Sequence, residues 1–244
     1  MHSTATFYFH GCLNDFLPAS NKNSWIQYRF NSSPSIKDAI EAIGIPHVEA
    51  HTFTVNGIQT DFNYHLKMED SVEVYPLEEN NITTYKDPDK MNLFVLDVHL
   101  GTLARVLRTL GFDSIYQNNY SDQVIVQIAE EENRIVLTRD VGLLKQKRIQ
   151  RGYWLRSQHT DEQLREVMRH FGLIEYIRPF TRCIVCNGII RPVDKEVVSD
   201  QLPPDTKRYF TEFYQCCSCK RVYWKGSHFE RMQQSIKSIT SNSQ

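Results

Sequence analysis

Three carboxylates and two cysteine pairs are the residues of this 244-residue chain whose types and spacing could do chemistry. Asp97 ends the apolar run Leu93-Phe94-Val95-Leu96. Asp140 ends Arg134-Ile135-Val136-Leu137-Thr138-Arg139, and Asp122 opens the helix-patterned stretch between the two. Short apolar runs rich in aromatic and β-branched residues read as buried strands. In open α/β sheets the carboxyl ends of strands deliver their end residues to one crevice, so acids there predict a cation site. Oxygen ligands suit Mg²⁺ or Mn²⁺, and neither His nor Cys is expected among them. Without a cation, three close carboxylates would repel and one would tend to hold a proton. The competing reading is that each acid merely caps its own helix. Capping accepts Ser, Thr, Asn or Asp, however, and does not favour Asp at all three starts.

The second constellation is Cys183-Ile184-Val185-Cys186 and Cys216-Cys217-Ser218-Cys219, two Cys-x-x-Cys knuckles separated by 29 residues. Four thiolates at this spacing predict the closed tetrahedral set of a structural zinc ribbon, with Cys183, Cys186, Cys216 and Cys219 as ligands. A pair of disulfides is the alternative, and it fits poorly with a start, Met1-His2-Ser3-Thr4-Ala5-Thr6, that lacks the basic and apolar regions of a signal peptide. Cys217 is spare and Cys12 stands alone. The second knuckle is followed by Lys220-Arg221-Val222-Tyr223-Trp224-Lys225, which mixes bases with aromatics. Tyr223, Trp224 and Lys225 could stack on and neutralise single-stranded RNA, or the rings could pack a small ribbon with little core of its own. Both readings stay open on sequence alone.

The elements that must position these residues fall into two patterns. From residue 93 onward, strand and helix signals alternate, which predicts a parallel sheet with flanking helices. Leu100, Leu103, Ala104, Leu107 and Leu110 make one helical stripe that ends at Gly111. Arg105 and Arg108 lie off that stripe, on what reads as a solvated face beside Asp97, close enough to be candidates for contact with phosphate. A capping box is expected at Thr160-Asp161-Glu162-Gln163. The first 77 residues read differently. Strand signals at Thr6–His10 and Trp25–Phe30 precede a helix over 36–43, with Pro34 expected in its first turn. Two more follow, Phe53–Gly57 with a hairpin-type Asn-Gly turn and Ser71–Pro76. That order resembles a ubiquitin-like β-grasp domain, and the pairing of Val55-Asn56-Gly57 with Asp70-Ser71-Val72-Glu73-Val74 resembles the small sulfur-carrier branch of that fold. Carriers of that branch act through a free Gly-Gly end, whereas here the chain runs on through Leu77-Glu78-Glu79, which leaves a docking or binding module.

Residues 78–92 are polar and aperiodic and read as a linker. The expected division is therefore a β-grasp domain over 1–77, a linker over 78–92, an α/β domain over 93–175, and a zinc ribbon with a C-terminal helix over 176–235. Residues 1–90 carry 6 Lys or Arg against 12 Asp or Glu, and residues 91–244 carry 22 against 17. A basic carboxyl part is compatible with a polyanionic partner, although the excess is mild. No run approaches the roughly 18 to 20 apolar residues that would span a bilayer. The chain reads as cytoplasmic, with no membrane partner.

The run Asp97-Val98-His99-Leu100-Gly101-Thr102-Leu103-Ala104-Arg105, with Asp122 and Thr138-Arg139-Asp140 behind it, resembles the Mut-seven carboxyl-terminal RNase family. These are PIN-like nucleases that carry a zinc ribbon, and several bacterial members have a ubiquitin-like domain in front. The resemblance implies metal-dependent cleavage of RNA with Asp97, Asp122 and Asp140 as the acidic cluster. Arg139, beside Asp140, joins Arg105 and Arg108 as an expected RNA contact. Many PIN domains have a further acid two residues after the Thr-x-Asp carboxylate, where this chain has Gly142. A decayed site is the basis of the rival expectation, a non-catalytic RNA-binding or adaptor protein that works through the ribbon and the β-grasp domain. Phosphodiester hydrolysis itself asks for a cation that neutralises the phosphate oxygens and makes a bound water nucleophilic, which agrees with an all-carboxylate donor set.

Overall fold

The computed structural model describes residues 3–77 and 93–226. The expected linker and the expected C-terminal helix lie outside the described residues.

The amino-terminal segment contains β1 (Ser3–Phe9), β2 (Ile26–Phe30), α1 (Ile36–Ile43), β3 (Ala50–Val55), β4 (Ile58–Thr60) and β5 (Ser71–Pro76). Its sheet has the order β2-β1-β5-β3-β4. The central pair β1 and β5 is parallel, while the flanking pairs are antiparallel. Strand alternation turns Ala5, Phe7 and Phe9 inward. There they meet Ile36, Ala39 and Ile40 of α1 together with Leu13, Leu66, Val72 and Val74. The β3–β4 hairpin turns through Asn56 and Gly57, both with positive φ (53° and 79°), the type I′ geometry that an Asn-Gly pair adopts without strain. Pro34 stands one residue before the cap of α1 instead of in its first turn, and Ser35 is the cap. Its hydroxyl accepts from the Asp38 amide at 3.1 Å and donates to the Asp38 carboxylate at 2.7 Å. Ser35→Ala is expected to lower stability by about 1 kcal/mol, measured by urea denaturation, because an orphaned amide at the helix start loses its partner.

After residue 92 the chain alternates through β6 (Leu93–Leu96), α2 (Gly101–Thr109), β7 (Asp113–Ile115), α3 (Asp122–Glu131), β8 (Ile135–Thr138), α4 (Val141–Leu144), β9 (Gly152–Trp154) and α5 (Thr160–His170). β6 pairs with β7 and β8 with β9, both in parallel. All four residues of β8 and three of the four in β6 are buried, as expected of parallel strands covered on both faces. A three-stranded antiparallel sheet completes the described chain. It consists of β10 (Ile190–Val193), β11 (Phe213–Cys216) and β12 (Val222–Trp224), with the short helices α6 (Lys195–Val198) and α7 (Pro204–Tyr209) inserted between β10 and β11.

The capping box at Thr160 does not form. His159 is the cap of α5 and makes no side-chain bond. The helix starts one residue too early for the box: the Gln163 amide, which a Thr160 cap would need, donates to the His159 carbonyl at 2.9 Å. Two turns on, the Glu166 carboxylate accepts from the amides of Arg156 (2.8 Å) and Ser157 (2.9 Å) and so fixes the entry of the chain.

The described residues gather into two compact units, one from 3–77 with 122–154 and the other from 93–121 with 155–226. In the first, the turn His47–Glu49 packs against β9 and the loop before it. The Trp154 amide donates to Glu49 Oε1 at 2.6 Å, and His47 Nε2 donates to the Ile149 carbonyl at 2.8 Å. Glu41 Oε1 holds the other ring nitrogen of His47 at 2.6 Å, and the rings of Phe16 and Trp154 touch. The β-grasp elements are thus bonded to the segment that carries β8 and β9, although a polar stretch separates them along the chain. Glu49 is only 5% exposed. Glu49→Ala should cost about 1 to 3 kcal/mol by leaving a buried donor without its acceptor, read as a fall in thermal midpoint.

In the second unit, the Phe94 ring meets the edges of Phe112 and Phe171 at centroid distances of 6.3 and 5.9 Å, which seats α5 on β6. α2 lies against both α5 and β7.

Candidate functional site

Asp97 follows the last residue of β6 and is buried, at 6% exposure. Its carboxylate accepts from the Val98 amide at 2.6 Å, and its carbonyl accepts from Leu100 N at 2.9 Å. The strand therefore leads first into a 3₁₀ turn, Val98–Leu100, and only then into α2. Asp140 stands two residues beyond β8 and is exposed. Its Oδ1 accepts from Gly142 N at 2.7 Å, capping α4, while its own amide donates to Thr138 Oγ1 at 2.9 Å. Asp122 is the exposed first residue of α3. Two of the three acids are therefore helix caps in fact. Capping does not exclude a cation, because a carboxylate has two oxygens and about four lone-pair sites, of which one amide uses one. A Cβ at residue 142 would stand 3.1 Å from Asp140 Oδ1, so a side chain there would press on the capping oxygen.

The arginines separate. Arg105 and Arg139 are exposed, and the Arg139 carbonyl accepts from the Trp154 indole at 3.1 Å. Arg108 was expected on a solvated face and is instead 4% exposed. The stripe pattern could not show this, because what covers Arg108 is the first cysteine knuckle, which arrives from far along the chain. Its Nε donates to the Ser114 carbonyl at 2.8 Å, and Nη1 donates to the carbonyls of Ile184 (3.2 Å) and Val185 (2.9 Å). Burial pulls the guanidinium below its usual pKa, opposed by the charges of Cys183, Cys186 and Asp113. A guanidinium stays charged nonetheless. Around it, Asn187 donates to Asp113 Oδ1 at 2.7 Å and accepts from Ser114 N at 3.0 Å, and Arg182 pairs with Asp113 at 2.9 Å.

The four knuckle cysteines converge, with all four sulfurs within 4.8 Å of one another. Cys183 Sγ lies 3.6 Å from Cys219 Sγ, and Cys186 Sγ lies 3.4 Å from Cys216 Sγ. Tetrahedral thiolates at a zinc–sulfur distance of about 2.3 Å would have their sulfurs roughly 3.8 Å apart, so the set fits a metal ion such as zinc. The two knuckles fold alike. Asn187 N donates to Cys183 O at 2.9 Å and Lys220 N to Cys216 O at 3.1 Å. The donating residues have positive φ, 65° and 60°. Burial raises the pKa of Cys186 and Cys219. Burial opposes ionisation of Cys183 as well, yet hydrogen bonds from Tyr223 and the amides of Cys186 and Val185 bring that thiol below its usual value. Thiols this close cannot all ionise unless a cation neutralises them.

Tyr223 therefore has a structural partner, since its hydroxyl lies 2.9 Å from Cys183 Sγ. Trp224 packs partly buried against Val198, Leu202 and Phe213. Lys225 Nζ pairs with Glu212 at 2.7 Å and stands 5.8 Å from the Tyr214 ring. Arg221, which the sequence reading did not single out, joins Arg105 and Arg108 in lining one cavity. No local pattern marks it, because the meeting depends on the knuckle docking against α2.

No curated protein matches the chain. A family model described as Mut7-C ubiquitin matches residues 2–82, the span that holds the five-stranded sheet. A second, described as Mut7-C RNAse domain, matches residues 92–236, the span that holds the acid-ended strands, the helices between them and the cysteine cluster. With more than half of its length inside that second match, the chain belongs to the Mut7-C RNase domain family and carries a Mut7-C ubiquitin-like domain in front.

Proposed function

We propose that the chain is a ribonuclease that hydrolyses RNA phosphodiester bonds with a divalent cation, Mg²⁺ or Mn²⁺, held by Asp97, Asp122 and Asp140. The observation that carries this reading is the RNase-family match over a segment in which Asp97 and Asp140 each follow a parallel strand at its carboxyl end. The donor set is all oxygen, as those cations require. When bound, the cation would neutralise phosphate oxygens and lower the pKa of a coordinated water. The chain's own part is to hold the acids still. Buried β6 and the Val98 amide fix Asp97, while Thr138 and Gly142 fix Asp140 from two sides. Arg105 and Arg139, both exposed, are placed to attract the strand.

The cysteine cluster is proposed as a structural zinc site, closed by four protein ligands and with no open position for substrate. The β-grasp domain, whose chain continues past Leu77 and so lacks a free Gly-Gly end, serves as a docking module for a protein partner. The functional division follows the chain, with residues 1–77 for docking, 93–175 for chemistry and 176–235 for the ribbon. No helix among the described residues is long and apolar enough to cross a membrane, and the protein is proposed to act on RNA in the cytoplasm. The test is cleavage of labelled RNAs by the full chain. Loss on chelation of Mg²⁺ and Mn²⁺ and recovery on their return are expected. Cleavage that survives chelation, or an absence of cleavage with either ion across hairpin, single-stranded and tRNA-like substrates, would remove the proposal.

A further inference from the structure

A cavity of about 650 Å³ opens between α2, the segment after β7 and the first cysteine knuckle. It is lined by Arg105, Arg108, Arg221, Tyr116, the amide pair Gln117 and Asn118, and the knuckle tips Ile184 and Val185. Its size lies within the range of roughly 300 to 1,000 Å³ typical of small-ligand clefts. Three guanidinium groups face it and no carboxylate lines it, since neighbouring Asp113 is already paired with Arg182. Arg108 is the built part. It is held by three carbonyls through Nε and Nη1, and its remaining nitrogen, Nη2, makes no bond among the described residues. A buried, fixed guanidinium with an unspent donor edge is preorganised for an anion, because little further side-chain freedom is lost when the anion binds.

The other wall suits a base. The Tyr116 hydroxyl donates to the Val98 carbonyl at 3.0 Å, which anchors the ring against the start of α2. Gly101 permits this, since a Cβ there would stand 2.6 Å from the Tyr116 oxygen. Ile184 and Val185 are 37% and 50% exposed, which leaves apolar surface open on this wall. Flat aromatic and apolar surface beside cationic groups is how proteins hold unstacked nucleotides, and amide side chains can both donate to and accept from a base edge.

We propose that this cavity is a nucleotide-binding subsite that seats one nucleotide of a single-stranded RNA. Arg105, Arg108 and Arg221 hold its phosphate, and Tyr116 with Ile184 and Val185 faces its base. The proposal rests on the ribonuclease reading for the identity of the strand, and it gives the ribbon a role in positioning substrate in addition to folding.

Two measurements on the full zinc-loaded chain test it. In the first, uridine and adenosine 5′-monophosphate are titrated while the methyl resonances of Ile184 and Val185 are followed, a readout that needs no cleavage. Both nucleotides should shift these methyls, and Arg105→Gln with Arg221→Gln should abolish the shift while one zinc per chain is retained. Inorganic phosphate or a polyglutamate peptide shifting them equally at the same concentration would overturn the nucleotide assignment. In the second, anisotropy of a fluorescent single-stranded RNA is recorded against salt on an Asp97→Asn, Asp140→Asn background that is not expected to cut. Each arginine substitution should weaken binding roughly three- to tenfold and flatten the salt slope by about 0.7, whereas Arg191→Gln, an exposed charge on β10, should change neither. Parental RNA affinity and cleavage in the Arg105→Gln, Arg221→Gln protein would sink the subsite and leave the ribonuclease reading standing. Methyl shifts in a protein that cuts no RNA would do the reverse.

Discussion

Asp97→Asn and Asp140→Asn should each remove RNA cleavage by roughly 10²- to 10³-fold or more while the protein stays folded. Asparagine keeps the size of aspartate and an acceptor oxygen, so the Val98 and Gly142 amides retain their capping partner. What is lost is the negative charge that would hold a cation. If the acids act through one ion, the double substitution should be little worse than either single one, because groups that work as a unit are not additive. Asp122→Asn should cost less, as this residue stands exposed at a helix start and not at a strand end. Stability supplies an independent reading. Carboxylates that share a site repel one another when no cation is present, so the metal-free variants should unfold at the same denaturant concentration as the metal-free parent or a higher one. A helix-cap role alone predicts no loss of cleavage from Asp to Asn. Chelator-sensitive cleavage at the parental rate in the double variant would place the chemistry elsewhere in the chain.

Cys186→Ser and Cys219→Ser should each lose one equivalent of zinc and unfold the ribbon. The clusters that support it are small, one built on Cys183, Ile190 and Cys216 and the other on Val198, Leu202 and Phe213. Such cores cannot offset the entropy of ordering some forty residues, and in structural zinc sites the metal-binding free energy, on the order of 10 kcal/mol, is folding free energy. Loss of the ribbon should spread to α2, because Arg108 would lose the carbonyls of Ile184 and Val185 and become a buried charge with fewer partners. Hydrogen exchange should therefore quicken in residues 101–116 as well as in the ribbon. Cys217→Ser, at an exposed thiol outside the tetrad, should change neither zinc content nor exchange. Protein purified under reducing conditions that contains no zinc, yet shows full protection in the ribbon, would overturn the assignment.

The sequence by itself determined most of the elements and the four cysteines that converge. Strand period turned Ala5, Phe7 and Phe9 to one face, the Asn56-Gly57 pair specified its turn, and unbroken apolar runs marked β6 and β8 as strands covered on both sides, with acids just beyond them. The Cys-x-x-Cys spacing named all four members of the tetrad. These features are local, governed by backbone sterics, burial of alternate side chains and the reach of two residues, so a linear pattern contains them. The tertiary structure alone decided what depends on segments that meet from afar. Arg108 lies off its helix's apolar stripe and reads as solvated, but a knuckle more than seventy residues away covers it and takes two of its donor contacts through the Ile184 and Val185 carbonyls, the third going to the Ser114 carbonyl. Glu49 has no pattern to mark it, yet it receives the Trp154 amide. Tyr223 could have faced either RNA or the ribbon until its hydroxyl was found at Cys183 Sγ. In each case the deciding partner is a backbone amide, a carbonyl or a sulfur brought in by docking. Side-chain spacing along one element cannot encode such a group, because every residue has the same backbone.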